Sequence, residues 1–268
     1  MYLLDNFLTD AECDHLVSIF WGLRSEHVDP DSIDMLEWWP KQAHDPVAHE
    51  VERRVGALMG SPPHALDGGV KIERKAAAPA AGAPAAGAPA AAEGFRHVAD
   101  GMHIDTHKAS QRWATCLIYL TTLDEGDGGA TVFPLAGDST PDALVADARF
   151  LAGSEGTHTD IASHGQESDR GERSPLVTAA RRLVDAGEAA AEGEIGLRVQ
   201  PRKGTAAIFF TRREDGSIDP RSFHFGASVR ARYKEKCTVQ IFKALPEAAR
   251  GGEHEAAAFM RRVHPFGD

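Results

Sequence analysis

From residue 110 onward the chain breaks into short segments rich in β-branched and aromatic residues: "WATCLIYLT", "ATVFPL", "IGLRVQP", "TAAIFF", "FHFGASV" and "CTVQIF". Several are bounded by Gly, Pro or Asp, and side chains in such segments alternate between two faces with a period of two. Six segments of this kind predict a β-sandwich or small barrel, with helices packed outside it. The helices come first. "FLTDAECDHLVSIFWGL" opens on a capping box, Thr9 with Glu12, and Cys13, Leu16, Val17, Phe20 and Trp21 follow at helical spacing as a buried stripe. A second helix is expected from Asp45-Pro46, with Val47, Val51, Val55 and Leu58 inward and Glu50 placed to pair with Arg54.

Two stretches interrupt this pattern. Residues 76–93 are an Ala/Pro/Gly linker, "AAAPAAGAPAAGAPAAA" up to residue 92, with no large side chain to bury and prolines that break helices. It follows the alternating stretch "VKIERK", a candidate strand, and is expected to loop out between strands. A polar insertion over 137–194 holds one helical segment, "SPLVTAARRLVDAGEAAAEG", with a weak stripe of Leu176, Ala180 and Leu183. Its place beside a barrel mouth suggests a lid or substrate-binding element. At 268 residues and 42% hydrophobic, the chain is expected to form one domain. Its parts would be helical support and a first strand over 1–75, a β-core over 94–243 and a tail over 244–268.

Composition excludes several function classes. A net charge of −11 disfavours a nucleic-acid footprint, which concentrates Lys and Arg. No run of about 18 apolar residues is present to span a bilayer, and "MYLLDNFLTDAEC" lacks the basic and apolar regions of a secretory signal. A soluble intracellular or cytoplasmic protein without membrane partners is expected. Cys13, Cys116 and Cys237 are too few and too irregular for a disulfide framework, and are expected to be buried thiols.

The stretch "GMHIDTH" at 101–107 carries the chemistry. If "MHIDT" is a strand, His103 and Asp105 point to one face, where an imidazole and a carboxylate can converge on an ion. His107 would continue the row, so the local pattern also permits three ligands from one strand, or a polar face with no metal. A distant His224, in "DPRSFHFGASVRARYKEKCTVQIF", offers a third ligand. Two His and one carboxylate leave the remaining positions of an ion open, which suits non-haem Fe(II) with a co-substrate and dioxygen.

In order along the chain, "DNFLTDAECDHLV", "HID", "QRWATCLIYLTTLDEGDGGATVFP", "VQPRKGTAAIFF" and "HFGASVRARYK" resemble the prolyl 4-hydroxylase-type branch of the Fe(II)- and 2-oxoglutarate-dependent dioxygenases. The resemblance implies a double-stranded β-helix of jelly-roll type, an α+β fold with a mainly β core and N-terminal helices outside. It implies Fe(II) held by His103, Asp105 and His224, and 2-oxoglutarate paired with Lys234, ten positions after His224, and with Thr131. Arg232 and, more weakly, Lys236 compete for the lysine's role. Dioxygen is the second co-substrate and ascorbate a candidate reductant. Arg112 falls where the family has an arginine near substrate, equally read as a surface residue, and His107 is left for a substrate role or one beside the ligands. An intact Asp105 favours hydroxylation over halogenation, because related halogenases replace that carboxylate.

The sequence also departs from the pattern. No tyrosine precedes His103 in "GFRHVADGMHID", leaving His97 as a substitute; Glu235 stands where a tryptophan often follows the lysine, and Ala227-Ser228 replaces a usual Cys-Pro. These changes fall on the substrate side. A prolyl residue in a peptide or protein is the expected substrate, with a free amino acid or other small molecule as runner-up. A zinc hydrolase using His103, Asp105 and His107, and a non-catalytic binding module, are the alternatives from other classes.

Overall fold

In the computed structural model the residues described are 1–23, 35–38, 45–76, 101–106, 110–137, 140–153, 175–231 and 233–263. The Ala/Pro/Gly stretch after Ala76, His97, His107, Arg232 and the side chain of Trp21 lie outside them.

All six expected downstream segments form strands: β4 (Arg112–Tyr119), β5 (Thr131–Phe133), β6 (Leu197–Val199), β7 (Ala206–Phe210), β8 (Phe225–Gly226) and β9 (Glu235–Ala244). "VKIERK" becomes β3 (Val70–Ala76), and two further short strands, β1 (Tyr2–Leu4) and β2 (Met35–Trp38), had no clear signal in the sequence. They assemble into a six-stranded sheet, β1-β7-β4-β9-β3-β2, and a three-stranded sheet, β6-β5-β8. Every pairing of these strands is antiparallel.

Helices cover the outer face of the large sheet. In α1 (Asp10–Leu23), Cys13, Leu16 and Phe20 are buried, and in α2 (Pro46–Leu58) Val51 and Val55 are. The capping box forms as expected: the Thr9 amide donates to Glu12 at 2.8 Å and the Glu12 amide to Thr9 Oγ1 at 3.2 Å. Asp45 caps α2 by accepting from the amides of Val47 and Ala48, and also bonds His15 of α1 at 2.9 Å. Two details differ from expectation. Leu58, in the last turn, is exposed. Glu50 pairs with Arg53 one turn away, because Arg54 is drawn to Glu12 of α1 at 2.7 Å.

The 137–194 insertion forms two helices, α3 (Asp142–Gly153) and α4 (Pro175–Ala191), where the sequence suggested one. Arg182 clamps Asp147 through two bonds of 2.6 Å and ties them together. Ala148, Leu151, Ala180, Leu183 and Val184 join Val132, Phe225, Met102 and Ile104 in one buried cluster. These helices therefore back the small sheet and brace the segments that carry His103 and His224. The two helices form a supporting layer, and residues 138–139 and 154–174 of the insertion lie outside the described residues. The C-terminal segment also packs: Phe259 and Met260 of α5 (Glu253–Val263) are buried against the core, and Phe259 meets the edge of Trp113 at 5.5 Å.

Between the sheets the inward side chains leave a cavity. On β9 these are Lys236, Thr238, Gln240 and Phe242; on β3, Lys71, Glu73 and Lys75; on β4, Thr115 and Leu117. The outward set, including Cys116, Ile118, Val239, Ile241 and Ile72, fills the core under the helices. Arg112 shares the parity of outward Ala114, Cys116 and Ile118, yet lines the cavity. A bulge between Arg112 and Ala114 inverts the alternation, turning Trp113 into the core and Arg112 inward.

Candidate metal centre

His103 and His224 sit opposite one another in a single antiparallel bridge, exchanging backbone bonds of 2.9 Å in both directions. The expected strand is thus reduced to one bridged residue, with Asp105 in a bend. The convergence survives: ligand atoms from His103, Asp105 and His224 all lie within 4.8 Å of one another. His103 Nε2 is 3.3 Å from Asp105 Oδ1 and His224 Nε2 is 3.7 Å from Oδ2. Each imidazole is oriented from behind, His103 Nδ1 by the Gly101 carbonyl at 2.8 Å and His224 Nδ1 by the Ser222 carbonyl at 3.0 Å. Donation from Nδ1 leaves both Nε2 lone pairs facing the shared point, the tautomer a metal ligand needs. Thr115 donates to Asp105 Oδ2 at 2.7 Å, and Phe133 and Phe209 pack around the His224 ring.

Electrostatics agree with that geometry. Burial pushes His224 down to about 4, so its ring is neutral near pH 7. Burial alone would raise Asp105, but His224, His103 and the Thr115 hydroxyl outweigh it and keep the carboxyl ionised. Burial also acts to lower His103, and its bond to Asp105 reverses this and raises it. Asp105 and His224 are buried while the His103 side chain is 47% exposed, so the site has one open side.

The cavity extends from this triad, with a volume of about 350 Å³. At its far end Lys236 Nζ donates to Thr131 Oγ1 at 3.0 Å, and the Tyr119 hydroxyl donates to the same oxygen at 2.9 Å. Thr131, accepting both, retains its own proton to give. Burial first, and then the charge of Lys75, lowers Lys236 to about 7. Lys234 is elsewhere. It precedes β9, is 44% exposed, and binds Asp127 at 2.5 Å and Asp124 at 3.4 Å in the acidic turn. The structure brings Thr131 and Arg112 to the cavity with the triad, and brings Lys236, not Lys234, beside Thr131. Lys71, Glu73, Lys75, Tyr119 and Thr115 were missed, although the alternation of "VKIERK" already set three of them on one face.

No protein-family model matches the chain. Curated relatives do. The chain is 24% identical over 249 residues to "Probable prolyl 4-hydroxylase 8" of Arabidopsis thaliana, covering 85% of this chain and 63% of the relative. It is 25% identical over 246 residues to "Prolyl 4-hydroxylase 5" of the same plant, covering 84% and 62%. The chain resembles the prolyl 4-hydroxylases. It spans less than two thirds of the length of these relatives. Among solved structures, the viral collagen prolyl hydroxylase of Paramecium Bursaria Chlorella virus-1, in its 2OG complex, aligns at a TM-score of 0.46 with 18% identity. That alignment covers 91% of this chain and 96% of the viral one.

Lys234 and Lys236 flank the first residue of β9. Tyr233, in a left-handed conformation (φ 72°) and exposed, turns the chain just before β9 begins at Glu235. Counting ten positions from His224 therefore stops on the turn, and the inward lysine lies twelve positions on. Among the described residues no helix is long and apolar enough to cross a membrane.

Proposed function

We propose that this chain is an Fe(II)- and 2-oxoglutarate-dependent hydroxylase, built on a double-stranded β-helix and acting on a prolyl residue of a peptide or protein. The observation that carries the reading is one cavity with a His–Asp–His triad at one end and a buried lysine–threonine pair at the other. The donor set suits a divalent ion with open positions, and Lys236 with Thr131 suits the distal carboxylate of a 2-oxo diacid. When bound there, iron couples oxidative decarboxylation of 2-oxoglutarate by dioxygen to hydroxylation of a C–H bond, releasing succinate and carbon dioxide.

The remaining work falls to the chain. His103, Asp105 and His224 present their donor atoms already oriented, so little reorganisation is needed on binding. Lys236 and Thr131 fix one end of the co-substrate, which sets how far its 2-oxo end reaches. Phe133 and Phe209 shield the His224 side from water. Arg112, stacked on Phe242 at 3.8 Å, borders the space left for substrate. Purified protein with Fe(II), 2-oxoglutarate and ascorbate should release succinate when given a proline-rich peptide, and Asp105→Ala should abolish release. Equal succinate from Asp105→Ala would rule the assignment out.

A further inference from the structure

The inner wall of the cavity carries a cluster of charged side chains. Among the described residues lining it are four cations, Lys71, Lys75, Arg112 and Lys236, and two carboxylates, Glu73 and Asp105. On β3 the inward row reads Lys71, Glu73, Lys75, and Glu73 is shared: Lys71 Nζ lies 3.2 Å from it and Lys75 Nζ 3.7 Å. Lys71 stands opposite Gln240 and Lys75 opposite Lys236. The second of these pairs closes over Gly226, where a Cβ would lie 3.1 Å from Lys75 Nζ and 3.6 Å from Lys236 Nζ.

The other end of the row approaches Arg112. Phe242, the inward residue after Gln240, carries the Arg112 guanidinium on its face. Arg112 Nη1 reaches the Asp105 carbonyl only at 3.4 Å, the limit of a useful bond, and no described carboxylate forms an ion pair with it. A half-buried guanidinium left this open, and delivered to the cavity by a bulge, is a ready fork for a carboxylate.

We infer that the substrate presents an anionic group of carboxylate class to the Lys71–Arg112 side of this cavity, next to the metal centre. The inference rests on the hydroxylase reading, in which the co-substrate occupies Lys236 and iron occupies the triad. An acidic side chain flanking the reacting residue of a peptide and the α-carboxylate of a free amino acid share this chemistry.

Anaerobic isothermal titration of the protein loaded with Fe(II) and 2-oxoglutarate separates these sources. End-capped peptides with proline between two glutamates or two glutamines form one pair, and L-proline with L-prolinamide the other. In at least one pair the anionic member should bind roughly tenfold or more tightly, the worth of one charge-assisted contact. Arg112→Gln and Lys71→Gln should each reduce that preference to about twofold or less. If either variant melts early, raised salt on the wild type should weaken only the anionic member of the pair. Equal binding within both pairs, or a preference that survives both substitutions, overturns the inference. The absorbance band of the iron–2-oxoglutarate complex, recorded in the same samples, keeps the readings apart: its presence with no anion preference defeats only this inference. Its absence removes the hydroxylase reading and this inference with it.

Discussion

Lys234 and Lys236 differ by two positions and by almost everything else. Lys234 is half-exposed against the acidic turn, and Lys236 is buried with its ammonium on Thr131. In the proposed enzyme Lys236→Ala should raise the dissociation constant for 2-oxoglutarate roughly 10- to 150-fold, since a buried charge-assisted bond is worth about 1.5–3 kcal/mol. Lys234→Ala should change it by no more than about twofold, as expected of an exposed ion pair. Titrating each variant with 2-oxoglutarate under anaerobic conditions decides between them. Thr131→Val should weaken binding less than Lys236→Ala, because it removes a hydroxyl donor but no charge. At this scale the three convergent residues were legible from residue type and spacing. Which lysine faces Thr131 was not: spacing favoured Lys234 with Lys236 as a weaker competitor, parity treats them alike, and only the start of β9 separates them.

At the scale of elements, the strands that carry alternating apolar and polar residues over several positions were readable, and all six downstream segments appear. What escaped was short or context-dependent. β1 has three residues and β2 four, too few for a periodic signal, and both depend on partners far away in sequence. The bulge that turns Arg112 inward leaves no mark in the local pattern. α3 was hidden in a segment taken as polar insertion, although Val145, Ala148 and Leu151 give it a buried side. Asp45 joins two elements, capping α2 and bonding His15 of α1, so Asp45→Ala should lower stability by about 0.5–2 kcal/mol. Met260→Ala, fully buried on α5, should cost about 2–5 kcal/mol. Both losses should appear in denaturant melts, while the absorbance of the loaded site is kept, because neither residue touches the cavity.

For the whole molecule, the buried lysine of the cavity links the proposed function to pH. Burial and Lys75 hold Lys236 near 7, with Glu73 of β3 and Tyr119 of β4 also facing it. A bound carboxylate favours the protonated form, so Lys236 takes up a proton when 2-oxoglutarate binds above that value. Affinity should therefore be level below about pH 7 and fall as pH rises through it, by at most about tenfold per unit. Lys236→Ala should flatten this slope. The central claim, that one cavity holds Fe(II) and 2-oxoglutarate together, is tested most directly by anaerobic visible absorbance. Adding both to the protein should produce a weak charge-transfer band that neither gives alone and that His103→Ala abolishes. Absence of that band from the wild type, or its persistence in His103→Ala, would contradict the claim.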